Sequence, residues 1–215
     1  YLSRLYQGIN RNTITIPNAW NDFRFPLAPP SGPNQPIRMA WRGSNKHDGD
    51  LYGVRSPLSS SLADTAFQWV FFGNRPFYMG LKREQYQPWN GIASYFRMFY
   101  TSGIDYLFVP LEVNNFNKGK SNIAWIEATI AGAVTIAPLA LPEFDKPGVI
   151  RYRDNRHLAD IFARIKAGKY DKAERVQASR AELQENYALS RVNAIRGAVL
   201  AKMFGMEIRE EAKQE

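Results

Sequence analysis

Two segments of the sequence combine glycine with basic and hydroxyl side chains, which are the residue types that bind phosphate groups. The first reads RGSNKH at residues 42–47, and the second reads PLEVNNFNKGKS at residues 110–121. Each segment begins at the end of an apolar run, and the second also precedes a helical pattern. Backbone N–H groups at a helix N-terminus attract anions, and glycine lets the backbone approach a ligand closely. We therefore predict a nucleotide-binding site that draws on both segments.

The second segment could hold a diphosphate and a ribose. Lys118 and Lys120 add positive charge to the loop. Glu127, about two turns along the following helix, could accept hydrogen bonds from two ribose hydroxyls. The competing interpretation is that the loop only caps a helix, which is a common role for such sequences. Both interpretations stay open at this stage.

The first segment offers positive charge and a titratable group. Arg42 and Lys46 could neutralise the charge that develops on a leaving nucleotide. His47 could act as a general base or donate a hydrogen bond to a sugar, although a lone loop histidine more often does neither. We assign no catalytic residue from the sequence. The candidates for binding the nucleotide or substrate are Arg42, Gly43, Ser44, Lys46, His47, Asn117, Lys120, Ser121 and Glu127.

Apolar runs alternate with helical periodicities, and this alternation predicts the elements that position these residues. Strand-like runs occur at residues 37–41, 67–72, 104–109, 133–137 and 148–152. Helical patterns occur at residues 50–62, where Pro57 interrupts the pattern, and at residues 92–100 and 122–131. Short connections between such elements predict an α/β fold, a Rossmann-like parallel sheet with helices on both faces. In such a sheet both segments emerge at one edge, so we expect Arg42, Lys120 and Glu127 to meet in one cleft.

The two ends of the chain give different patterns. Residues 13–16 read TITI, and this alternation predicts a short strand before a turn at Pro17. Asp171 and Glu174 indicate the start of one or two long C-terminal helices. A preceding amphipathic helix is predicted by apolar residues at Leu158, Ile161, Phe162 and Ile165. We predict four parts: the end of a preceding domain or a hinge strand (1–17), a linker (18–36), the α/β domain with its C-terminal helices (37–203) and a tail (204–215).

Composition excludes several classes of protein. The chain has 215 residues, 45% of them hydrophobic, which suits one buried core, and it has no cysteine and two histidines. Disulfides, thiolate metal sites and a cysteine nucleophile are therefore excluded, and we expect no structural metal. No run is long and apolar enough for a membrane span and residues 1–10 do not resemble a signal peptide, so we expect a cytoplasmic protein. Neither G-x-G-x-x-G nor G-x-x-x-x-G-K-[ST] occurs, which argues against nicotinamide-dependent enzymes and P-loop NTPases.

The net charge of +8 leaves two interpretations open. The excess of lysine and arginine is concentrated in the helical part at residues 151–202, and most such stretches are solvated helix faces. An anionic partner such as a nucleic acid is the second interpretation, because clustered cations release counterions from a phosphate backbone. We favour the first interpretation and do not expect nucleic-acid binding.

The segment with the densest chemistry also carries a family resemblance. Residues 116–134 read FNKGKSNIAWIEATIAGAV, which resembles the sugar-donor site of retaining GT-B glycosyltransferases, where the pattern FN…KS…EA…G precedes a short strand. IPNA at residues 16–19 resembles the hinge that enters their C-terminal domain. AWRGS at residues 40–44 resembles the first strand of that domain and its loop. The resemblance extends over about residues 13–200.

The resemblance implies a Rossmann-like domain that binds a nucleoside-diphosphate sugar, such as a UDP- or GDP-sugar, for hexosyl transfer in glycan biosynthesis. It assigns the ribose to Glu127 and the diphosphate to Lys120 and Ser121. It also implies that Arg42 and Lys46 compensate the charge of the diphosphate, and that neither a metal nor another cofactor is required.

Two departures limit what the resemblance implies. Many relatives carry a glutamate eight residues before the position of Glu127, and here that position is Gly119. In this family the acceptor, a glycan, lipid or protein, and usually a catalytic side chain belong to an N-terminal domain, of which this sequence holds at most the final strand. We therefore expect sugar-donor binding without robust transfer by these residues alone. The alternatives are a noncatalytic glycosyltransferase-like interaction module and a binder of anionic polymers.

Overall fold

The centre of the protein is a parallel β-sheet. The computed structural model describes residues 2–29, 32, 34–76, 79–82, 85–89 and 91–205, and within them the sheet has six strands in the order β3-β2-β1-β4-β5-β6. The strands are β1 (Ile37–Gly43), β2 (Phe67–Gly73), β3 (Tyr86–Pro88), β4 (Tyr106–Phe108), β5 (Val134–Pro138) and β6 (Ile150–Tyr152). Every neighbouring pair is parallel. The predicted α/β fold is therefore confirmed.

Helices flank this sheet. They are α1 (Leu2–Gln7), α2 (Asp48–Gly53), α3 (Arg55–Ala63), α4 (Ile92–Thr101), α5 (Asn115–Lys118), α6 (Ile123–Ile130), α7 (Asn155–Lys166), α8 (Lys172–Tyr187) and α9 (Leu189–Phe204). The pattern at residues 50–62 is divided at Val54 into α2 and α3. Pro57 lies in the first turn of α3, where its missing N–H group has no intrahelical partner to lose. The predicted N-cap of α8 is confirmed, because the Asp171 side chain accepts a hydrogen bond from the Glu174 N–H group.

The hydrophobic core consists of two layers, one on each face of the sheet. Successive strand residues point to opposite faces. Ala40 and Leu107 belong to the layer beneath α4, α6 and α8, whereas Met39 and Phe108 belong to the layer beneath α2, α3 and α7. Both faces are therefore covered, and this burial explains why the strands are apolar along their whole length.

The strand predicted at residues 13–16 is wrong. These residues have no regular structure, and the preceding helix α1 was not predicted. A strand requires a neighbour that completes its ladder of hydrogen bonds, and alternating side chains do not supply one. In the part of the chain that the structure describes, no strand pairs with this segment.

The segment predicted as a linker packs onto the domain. Trp20 and Ala28 are buried. The Trp20 N–H group donates to the Tyr187 carbonyl at 2.7 Å, and the Ala28 N–H group donates to the Ile130 carbonyl at 2.8 Å. Residues 18–29 therefore cross the ends of α6 and α8. The division of the chain into domains stays a prediction, and residues 206–215 of the proposed tail lie outside the described residues.

A buried ion pair joins α8 to the sheet. Lys172 Nζ lies 2.6 Å from Asp105 Oδ1, and the side-chain exposures are 4% and 0%. The other oxygen of Asp105 accepts a hydrogen bond from the Arg38 N–H group at 2.8 Å and one from the Asn34 N–H group at 3.1 Å. This carboxylate therefore connects the segment before β1, the start of β1, the start of β4 and the start of α8.

We predict that Lys172→Met strongly destabilises the protein. The substitution leaves the Asp105 carboxylate buried without its counter-charge, which costs about 3–5 kcal/mol of unfolding free energy. Urea denaturation followed by circular dichroism measures this loss. Lys166→Met is the control, because Lys166 is exposed and its pair with Asp64 is a surface pair. Equal losses in the two variants would contradict the prediction.

Candidate functional site

A cleft opens at the carboxyl edge of the sheet, beside β1 and β4. The strand order reverses between these neighbours, and ligands of open α/β sheets bind at such a switch point. The cleft contains two cavities, which share Arg42, His47 and Ile123 as lining residues. Cavity A has a volume of about 300 Å³ and lies between the loops that follow β1 and β4. Cavity B has a volume of about 720 Å³ and lies towards the start of α4.

An ion pair forms the wall between the first loop and α6. Arg42 Nε, at the end of β1, lies 2.8 Å from Glu127 Oε2, and the Tyr95 hydroxyl donates to the same oxygen at 3.0 Å. Burial raises the pKa of Glu127, and the charge of Arg42 together with the Tyr95 hydrogen bond offsets this rise only in part. Glu127 is therefore a buried acceptor at the boundary of cavity B.

A chain of three polar side chains lies across the cleft. Lys120 Nζ lies 3.0 Å from His47 Nε2, and His47 Nδ1 lies 2.6 Å from Asp50 Oδ2. Because the carboxylate is an acceptor, the Nδ1 atom carries the proton and Nε2 accepts a hydrogen bond from the ammonium group of Lys120. Burial lowers the pKa of Lys120. The charge of Asp50 opposes this effect in part, and the charge of Arg42 acts in the same direction as burial.

Asp50 holds the two loops together. Its Oδ1 atom accepts hydrogen bonds from the Glu112 N–H group and from Asn117 Nδ2, both at 2.8 Å. Burial acts to raise the pKa of Asp50, but the hydrogen bonds from His47, Glu112 and Asn117 outweigh it and hold the pKa below its ordinary value. Asp50 thereby positions His47 from one side and the β4–α6 loop from the other.

The floor of cavity B requires glycine at the end of β2. Gly73 has a φ of 94°, and a Cβ atom there would lie 2.6 Å from the Gly43 carbonyl oxygen. A hydrogen bond from the next residue stabilises this close contact, because the Asn74 N–H group donates to the same oxygen at 2.9 Å. The ends of β1 and β2 are therefore held close together beneath the cavity.

The structure brings most of the predicted site residues together. Seven line the cleft: Arg42, Gly43, Ser44, His47, Lys120, Ser121 and Glu127. Lys46 is exposed and lines neither cavity. Asn117 is buried behind the cleft, where it fixes Asp50. The two loops converge as the parallel sheet requires, and the binding role of each residue stays a prediction.

Three residues at the cleft were missed from the sequence. Asp50 stands inside a helical pattern, and no local signal separates it from an ordinary first-turn carboxylate. Trp89 and Tyr95 line cavity B, with their rings stacked at a centroid distance of 5.5 Å. Trp89 directly follows the short edge strand β3. This strand contains Gln87 and Pro88, so it has no apolar run from which it could be predicted.

Searches by sequence and by structure give different results. No protein-family model and no curated protein sequence matches the chain. HepE from Anabaena, solved with UDP and glucose, matches 89% of this chain and 57% of its own chain, with a TM-score of 0.64 and 11% identity. AviGT4, a glycosyltransferase involved in avilamycin A biosynthesis, matches 94% of this chain and 62% of its own, with a TM-score of 0.57 and 14% identity. The lipopolysaccharide outer core galactosyltransferase WaaB, in its apo form, matches 92% of this chain and 59% of its own, with a TM-score of 0.55 and 13% identity.

These matches extend over nearly the whole of this chain. It has a GT-B glycosyltransferase fold. The resemblance drawn from residues 116–134 is confirmed at the level of the fold, and the retaining outcome stays a prediction. The chain spans between 57% and 62% of the length of these solved chains. Among the described residues, no helix has the length and apolar character needed to cross a membrane.

We predict that Asp50→Asn destabilises the protein in a pH-dependent manner. Because the folded-state pKa of Asp50 is lowered, its stabilisation is present above the ordinary aspartate pKa of about 4 and is lost as the pH falls through the folded value. We expect a loss of about 1–2 kcal/mol at pH 7 and a smaller loss at pH 3. Urea denaturation at both pH values measures the difference.

Asp160→Asn is the control for this experiment. Asp160 is exposed on α7, and its nearest cation, Arg164 Nη1, lies 4.0 Å away. A loss in Asp50→Asn that is the same at both pH values would contradict the assignment of the carboxylate as an ionised acceptor.

Proposed function

We propose that the cleft binds a nucleoside-diphosphate sugar as the donor for glycosyl transfer. The observation that carries the proposal is the convergence of Arg42 and Lys120 with the buried carboxylate Glu127 at the switch point of a parallel sheet. Cations suit the diphosphate and the carboxylate suits ribose hydroxyls. The volumes of the two cavities also fall in the range of small-molecule sites.

The diphosphate belongs in cavity A. Lys120, Ser121 and Arg42 line this cavity together with the start of α6. The N-cap residue of α6, Asn122, makes no side-chain capping hydrogen bond, so an anion can take that role for the first N–H groups of the helix. Lys46 does not line this cavity and provides an internal comparison.

The nucleoside belongs in cavity B. Trp89 is 57% exposed and stacks on the buried Tyr95, so its ring presents a flat face towards a base. Glu127 lines the same cavity and could accept a ribose hydroxyl hydrogen bond. The base and the ribose would then lie on the β3–α4 side of Arg42, with the phosphates on the α6 side.

The solved structures support a uridine nucleotide as the first ligand to test. HepE was solved with UDP and glucose and also with UDP-glucose. Transfer of the sugar, its hexosyl character and the acceptor are further parts of the proposal, in which a glycan, lipid or protein acceptor binds outside these residues. We propose the cytoplasm as the compartment.

Noncatalytic nucleotide binding is the second candidate function. It is favoured by Gly119, which stands where many members of the resembled family carry a glutamate and where a Cβ atom would lie 3.3 Å from Leu2 Cδ2 of α1. An anionic-polymer function has less support. Helix α8 carries as many carboxylates as cations, and its Arg175 and Arg180 donate internally, to the carbonyls of Gly148 and Ala28.

We predict that the chain binds UDP and UDP-glucose and that Lys120→Met weakens this binding at least tenfold. The expected loss follows from a charge-assisted hydrogen bond to phosphate, which contributes about 1.5–3 kcal/mol. Isothermal titration with UDP, GDP, ADP and UDP-glucose measures the affinity. Lys46→Met is the matched control and should bind as the unmodified chain does. No heat with any nucleotide, or equal losses in both variants, would contradict the proposal.

We also predict that Trp89→Ala weakens UDP binding about two- to tenfold without altering the binding of inorganic pyrophosphate. The ring stacks on a base, and such an aromatic contact contributes about 0.5–1.5 kcal/mol, whereas pyrophosphate has no base. Trp89→Phe keeps an aromatic face and should retain most of the affinity. Parallel losses for both ligands in Trp89→Ala would show that Trp89 acts on the diphosphate side or on the fold.

A further inference from the structure

The four charged side chains that pair across the cleft carry no net charge when His47 is neutral. Arg42 is paired with Glu127, and Lys120 and Asp50 contact opposite sides of the His47 ring. A nucleotide sugar brings one negative charge on each of its two phosphates. The cleft therefore lacks the net positive charge that such a ligand needs, although it is built from cations.

We propose that binding of the sugar nucleotide is coupled to the uptake of a proton by His47. This inference rests on the proposed function. In the empty cleft, Lys120 donates to His47 Nε2. When the diphosphate binds, Lys120 turns to the phosphate, Nε2 takes a proton from solvent, and His47 becomes a third cation of the site beside Lys120 and Arg42.

The contacts of His47 with Lys120 oppose protonation before the ligand binds. Its Nε2 atom faces the ammonium group at 3.0 Å and accepts a hydrogen bond from it. A proton on Nε2 would remove that acceptor and place two cations in contact. The bound anion removes this obstacle, because it attracts Lys120 and offers Nε2 an acceptor of its own.

The contact of His47 with Asp50 favours protonation with and without the ligand, whereas the Lys120 contact opposes it only in the empty cleft. Asp50 Oδ2 lies 2.6 Å from Nδ1, and the carboxylate is held in place by Glu112 and Asn117. A carboxylate fixed at this distance stabilises an imidazolium. The proton affinity of His47 is thus higher in the complex than in the empty cleft, and this difference makes the affinity for the ligand depend on pH.

The titratable and charged groups around His47 lie on β1, α2, the β4–α6 loop, α6 and β6: Arg42, Asp48, Asp50, Glu112, Lys120, Glu127 and Tyr152. Glu127, whose pKa burial raises, could also take up a proton, and the His47→Gln variant below distinguishes it from His47. Lys120 competes with His47 as well, since its own proton affinity would also rise beside a phosphate. Lys120→Arg separates the two, because arginine keeps its charge at every pH used in the test.

Titration calorimetry with UDP-glucose tests the inference. UDP-glucose is used rather than UDP because a terminal phosphate titrates near pH 6, whereas a doubly esterified diphosphate keeps its charge. The chain is titrated between pH 5.5 and 8.5 in two buffers with different enthalpies of ionisation. We expect the affinity to rise as the pH falls, approaching tenfold per pH unit at its steepest, as uptake of one proton requires. We also expect heats that differ between the buffers.

Two variants assign the proton. His47→Gln should bind UDP-glucose with no pH dependence and with equal heats in both buffers, and Lys120→Arg should keep the proton uptake. Asp50→Asn tests the same assignment in a second way. Without the carboxylate, the pH range over which the affinity rises should move to lower pH. Retention of proton uptake in His47→Gln, or its loss in Lys120→Arg, would overturn the assignment to His47.

The two proposals fail in different ways. UDP-glucose binding by the unmodified chain with equal heats in both buffers and no pH dependence overturns the coupling alone. The absence of UDP-glucose binding at every pH overturns the proposed function and the coupling together.

Discussion

The geometry of the cleft depends on the hydrogen bonds that the Asp50 carboxylate accepts. This carboxylate accepts hydrogen bonds from His47, from the Glu112 N–H group and from Asn117, so one side chain joins the loop after β1 to the loop after β4. The parallel sheet brings these loops to the same edge but does not fix their separation. A buried carboxylate with three donors does fix it, because each donor would lose a strong hydrogen bond if the loops moved apart.

The cations of the cleft are held by internal partners rather than presented free. Arg42 contacts Glu127, and Lys120 contacts His47. Such pairing keeps buried charge from being left unsolvated, and it also means that an anionic ligand must exchange partners when it enters. The affinity for such a ligand then depends on how Glu127 and His47 are satisfied after they lose Arg42 and Lys120. The ion pair of Lys172 with Asp105 differs in this respect, since it is sealed within the fold and joins α8 to the sheet.

The GT-B architecture persists here at sequence identities of 11% to 14% with the solved glycosyltransferases. What is preserved is the arrangement of parallel strands and covering helices, which requires only apolar runs of suitable length and spacing. The chemistry of the cleft is more specific. A Cβ atom at Gly119 would lie 3.3 Å from Leu2 Cδ2 of α1, so a side chain there would have to displace Leu2. A shared fold is therefore compatible with a different set of contacts to the sugar.

The sequence by itself determined the strands β1 and β2, the helices α4, α6 and α7 and the Asp171 cap, because burial on one or both faces and helix capping leave a periodicity within a few residues. It also indicated Arg42, Lys120 and Glu127 as one group, since the order of elements implies a common sheet edge. The tertiary structure alone decided that Asp50, and not Lys46, lines the cleft. It also decided that residues 13–16 form no strand and that residues 18–29 pack onto α6 and α8. The reason is physical: the Asp50–Asn117 bond and the Trp20–Tyr187 bond join residues far apart in the chain, and local periodicity carries no information about such partners.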